Sequence, residues 1–156
     1  MNIDHLLNSA ASLPTIDKIA VDEYQSKTDR MIALLNEKVL EREDIRNLIG
    51  QGNEQMMQDN HANHARFIYS IMKKPNNQVF VSSILWMFRT YHSHGFSVNY
   101  WSVELNIWLN ILKDQLSVNS FNQIAPIYSW MKDNVHVFAE IAKEQIKVKS
   151  EESNIF

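Results

Sequence analysis

The chain has 156 residues, 45% of them hydrophobic, with a formal net charge of −3 and a pI near 6.0. That length suits one domain with a real core, and the acidic balance argues against a general nucleic-acid binder, which carries excess basic charge. The absence of cysteine excludes disulfides, thiolate chemistry and Cys-based zinc or iron–sulfur centres, and suits a cytoplasmic location.

Three glycines and three prolines leave few breaks, so long helices are expected rather than many short strands. The first residues, 1–14, lack a basic start and a long apolar middle, and so do not read as a signal peptide. Leu6 and Leu7 followed by Pro14 suggest an arm or short helix that docks on the domain. Thr15 is a candidate cap for a first helix through Ile16, Ala20 and Tyr24, with Met31, Leu35 and Val39 continuing at helical spacing. The polar stretch 25–30 is a candidate bend. A short helix over 42–48 ends at Gly50, and Gly50 and Gly52 bracket a turn.

A helix is expected over 53–73, with Met57, His64, Ile68 and Ile71 on its buried stripe. Pro75 breaks it, because proline disfavours helix in the residue before it. The next helix carries Phe80, Ile84, Met87, Phe88 and Tyr91 and stops near Gly95; its apolar run over 84–88 is too short to span a bilayer. Ser97 is a good N-cap for a helix whose stripe is Val98, Trp101, Leu105, Trp108 and Leu112. A last helix is expected over 119–148, kinked by Pro126 near its start, before a charged tail over 149–156. The fold class is therefore all-α and single-domain, a globin-like or antiparallel bundle of about six helices, with an arm over 1–14 and the helical body over 15–148.

His61 and His64, three apart on one helix, share a face and could chelate a metal, as a metal-dependent enzyme would require. With no third ligand at a recognised spacing, the simpler interpretation is a polar edge on an apolar helix. His92 and His94 close a helix, where positive charge complements the dipole. The tryptophans and methionines fit core and interface packing. Glu104, flanked by apolar residues, is the acid to watch, since a buried carboxylate must be paired or neutral. There is no Ser/His/Asp order, phosphate-cradling loop or dinucleotide fingerprint, so a non-enzymatic protein is expected.

The segment His92-Ser93-His94-Gly95-Phe96, with Tyr100-Trp101 opening the next helix, resembles bacterial globin-coupled sensors. Their motif has the haem-ligating histidine, three residues, glycine, an apolar residue, three more, then Trp-Tyr. Here two residues separate His92 from Gly95, and the aromatic pair is reversed. His64 lies one helix earlier, at a spacing similar to that of distal and proximal histidines in globins. The same region looks like the globin-like N-terminal domains of stressosome sensors and the helical domains that precede cobalamin-binding domains in bacterial regulators. The likeness covers roughly 60–142. It implies a bacterial sensor or protein-interaction domain, with self-association or a signalling protein as partner. The ligand would be apolar or a tetrapyrrole such as haem. The implied pocket residues are His64, Tyr69, Phe88, His92 and Trp101, with His92 as proximal ligand of the haem iron. Neither a membrane nor nucleic acid is an expected partner.

Overall fold

The computed structural model describes residues 2–154, and every regular element in that range is an α-helix. The order is α1 (Ile3–Ala10), α2 (Lys18–Leu40), α3 (Ile45–Ile49), α4 (Glu54–Lys73), α5 (Asn77–Ser93), α6 (Val98–Gln115), α7 (Val118–Asp133) and α8 (Val135–Ser153). Helix α6 sits at the centre, packed on α2, α3, α7 and α8; α4 lies on α2, and α5 lies on α8 and α1. One core runs through all eight helices. No described helix is long and apolar enough to cross a membrane.

The expected helix count of about six is corrected to eight. Part of the difference is the arm. Residues 3–10 form α1, which buries Leu6 and Ala10, while Ser9 Oγ accepts from Trp130 Nε1 at 3.0 Å. The rest is the final helix, which is divided at Asn134, with Pro126 lying inside the first part. Asn134 Nδ2 donates to the Trp130 carbonyl at 2.8 Å and so closes α7, and the same residue precedes the first turn of α8. Pro126 is tolerated inside α7, where the carbonyl it leaves without a helical donor belongs to the exposed Asn122. The expected tail also shortens, because α8 continues to Ser153 through exposed polar residues. The first residue of the arm and the last two of the tail lie outside the described residues.

Helix α2 begins later than expected. Asp17, not Thr15, is its cap, and its carboxylate accepts from the Ala20 N–H at 2.9 Å. The polar stretch 25–30 does not interrupt the helix. The buried residues Ala20, Tyr24, Thr28, Met31, Leu35 and Val39 run as one stripe through it, and the Thr28 hydroxyl satisfies itself on the Tyr24 carbonyl. The same helix fixes the α6–α7 turn from outside. Lys27 Nζ donates to the Gln115 carbonyl at 2.6 Å, at the end of α6. Glu23 accepts from the Ser117 N–H at the start of α7. Each charge sits at the helix end whose dipole favours it. Helix α3 is shorter than expected, since Asp44 pairs in a fork with Arg42 before the helix starts.

Two glycine turns meet at one end of the molecule. Gly50 and Gly95 have φ of 82° and 99°, which disfavour any side chain. Between them, Asn53 Nδ2 donates to the carbonyls of Ile49 (2.7 Å) and His94 (2.8 Å), and the Ser97 N–H donates to the Leu48 carbonyl (2.7 Å). These bonds tie the start of α4 to the α5–α6 break. Asn53→Ala leaves both carbonyls short of a donor and should cost about 1–3 kcal/mol in urea denaturation. A change below a few tenths of a kcal/mol would show that the two turns are held by packing alone.

Candidate functional site

The apolar stripe of α6 is interrupted once, by Glu104, which is fully buried. Its Oε1 accepts from Trp108 Nε1 one turn on, at 3.2 Å, and meets His64 Nδ1 across the core from α4 at 3.3 Å. Its Oε2 has no protein partner, and neither has His64 Nε2. The carboxylate fixes the imidazole through one nitrogen and leaves the other free, the arrangement that orients functional histidines elsewhere. Tyr128 from α7 lies against both Trp108 and His64, with ring centroids 5.6 and 6.2 Å away. The Tyr24 and Tyr128 hydroxyls share a hydrogen bond of 2.6 Å, and burial pushes both phenols above their usual range.

His61 and His64 do not form a polar edge. Both are buried, on the register that carries Met57 and Ile68. The reason lies on other helices. Asn36 of α2 presents Oδ1 at 2.6 Å from His61 Nδ1, and the Tyr100 hydroxyl of α6 stands 2.8 Å from Nε2. An amide oxygen can only accept, so Nδ1 carries the proton and Nε2 accepts from Tyr100. Burial lowers the His61 pKa to about 4, against a raising influence from Glu104, so this imidazole is neutral at pH 7. With both nitrogens engaged, His61 has no lone pair left for a metal. Among the described residues no three His, Cys, Asp or Glu side chains come together as a metal-binding group.

The five pocket residues implied by the resemblance fall in three places. Phe88, His92 and Trp101 line one cavity of about 280 Å³ between α5, α6 and α8, with Phe96, Ala142 and Ile146. Phe88 stacks on Trp101 at 4.7 Å and leans on Phe138, so the cavity wall is a fixed aromatic surface. His64 borders a different cavity, of about 240 Å³, between α4 and α5. Tyr69 stands apart on α4, where Lys73 lies over its ring at 5.6 Å.

A haem gripped between His64 and His92 does not fit this arrangement. His92 is exposed at the end of α5, His64 is buried with Nδ1 committed to Glu104, and the two face separate cavities. At about 280 Å³ the His92 cavity lies just under the range for small-molecule sites, about 300–1,000 Å³, and is too small for a tetrapyrrole.

Sequence reasoning missed Asn60, Asn36 and Tyr100 as partners in the polar core. One signal was available: Asn60, His61 and His64 continue the apolar register of Met57 and Ile68, where a surface edge would leave it. Comparison of the chain with protein-family models, with curated proteins and with solved structures finds no match.

Proposed function

We propose that this chain is a non-enzymatic sensor or interaction domain of globin-like helical type, from a bacterial signalling protein, that binds a compact apolar ligand. The observation that supports this is the aromatic cavity between α5, α6 and α8, walled by Phe88 and Trp101 and set beside the Gly95 break. Such apolar concavities with a few polar groups at the rim, here His92, Glu140 and Lys143, suit small-molecule capture. A ligand there touches three helices at once, so its binding energy can bias how α5 and α8 pack and be reported to a signalling protein or a second copy.

The test is titration with N-phenyl-1-naphthylamine, a neutral probe that fluoresces in apolar surroundings. One equivalent should bind, and Ala139→Phe, which puts a ring into the cavity, should weaken binding at least tenfold. Binding that ignores Ala139→Phe would sink the assignment. Haemin titration separates the tetrapyrrole alternative: a Soret band lost in His92→Ala would replace the apolar ligand with haem. Sedimentation at high micromolar concentration tests the second-copy partner, and a monomer there leaves the signalling protein.

A further inference from the structure

We infer that the cleft between α4 and α5 is a second binding site, for a compact ring-bearing ligand that presents N–H donors, such as an amidine or a primary amide. Asn60, His64, Phe67, Trp86, Met87 and Tyr91 line it. Its floor is unusual. Asn60 and His64 are 1% and 3% exposed, yet Asn60 Oδ1 and His64 Nε2 have no partner in the protein. Buried polar groups are nearly always hydrogen-bonded, so two orphans on residues that border one cavity point to something that completes them.

The chemistry of that completion follows from what the other atoms do. Asn60 donates one N–H to Met87 Sδ at 3.6 Å and lies beside the Tyr91 hydroxyl, and its carbonyl oxygen is an acceptor. With Nδ1 donating to an ionised Glu104, a neutral His64 ring carries a lone pair on Nε2. Two acceptors therefore lie beneath the floor, both closed to solvent as the chain stands, and a ligand that reaches them must bring donors. Glu104, directly behind His64, favours a ligand with positive charge and opposes an anion. The walls are aromatic and suit a flat ring, which cation–π attraction helps when the ring's substituent is charged. A volume of about 240 Å³ holds a single ring and little more. Trp86, 56% exposed at the mouth, is the only tryptophan the fold leaves in solvent among the described residues, and a bound ring would cover it.

The experiment uses the full chain with ¹⁵N-labelled histidine at pH 7, titrated separately with benzamidine, benzamide and benzoate. Benzamidine should bind saturably, move the His64 Nε2 resonance and change Trp86 emission. Benzamide should bind more weakly, and benzoate not at all. Trp86→Ala, at an exposed position that folding tolerates, should weaken benzamidine at least tenfold. It should leave N-phenyl-1-naphthylamine binding unchanged, so failure here is distinct from failure of the apolar cavity. Tighter binding of benzoate, a protonated Nε2 in the free chain, or no saturable response to any of the three would overturn the assignment; the last leaves the cleft to ordered water.

Discussion

Acidifying the protein from pH 7 to pH 4 should cost about 3 kcal/mol of folding stability through His61 alone. In the unfolded chain this imidazole titrates near 6.5; in the fold its pKa is about 4, because burial disfavours the charged ring. Between those two values the unfolded state binds a proton that the folded state does not. Stability from this residue is therefore complete above pH 6.5, falls as pH drops towards 4 and is flat below that. The groups facing the ring are Asn36 of α2, Tyr100 of α6 and, further off, Glu104 and His64. Protonation would also force a second donor at Nε2 against the Tyr100 hydroxyl, which would then have to turn its proton elsewhere. Urea midpoints at pH 7, 5.5 and 4 measure the effect. His61→Gln should be less stable at pH 7 yet show a slope smaller by about 3 kcal/mol across the window. Equal slopes in the two proteins would place the acid sensitivity on other groups.

Much of the fold was legible because helical periodicity is local. The stripe of α2, the Ser97 cap, the Gly95 break and the central apolar face of α6 all follow from residues within a turn or two of one another. The misreadings have physical causes. At Asn134 an amide side chain captures a carbonyl four residues back, a choice that any asparagine near a helix end offers and few take. Proline is the louder signal, and the kink was expected from Pro126, although its helix continues past it as one element. Glu104 could be singled out, since a lone acid on an apolar stripe must find company. Its company could not be named, because His64 lies 40 residues earlier on another helix. The same limit hid the burial of His61, whose acceptor and donor come from α2 and α6. Trp86 was grouped with the other tryptophans as core and interface packing; only packing decides which side of α5 is left over.

His64→Leu should destabilise the protein by about 3 kcal/mol, and adding Glu104→Leu should restore part of that loss rather than deepen it. In the single variant the fully buried carboxylate keeps only the Trp108 N–H, and a buried charge without its partner is among the costliest defects a core can hold. In the double variant the charge is gone, two apolar side chains fill similar volume, and the remaining debt is the Trp108 Nε1–H, about 1–3 kcal/mol. Urea denaturation of the two single variants, the double variant and the parent closes the cycle. A double variant less stable than His64→Leu would mean that Glu104 is held by contacts other than the histidine. The two Leu substitutions also bear on why the polar array exists. A core that is no worse without His64 and Glu104 does not need them to fold. If the double variant folds and has lost its response to benzamidine, the pair is retained for the ligand, with three orphaned polar atoms on Asn60, His64 and Glu104 as the standing cost of an open site.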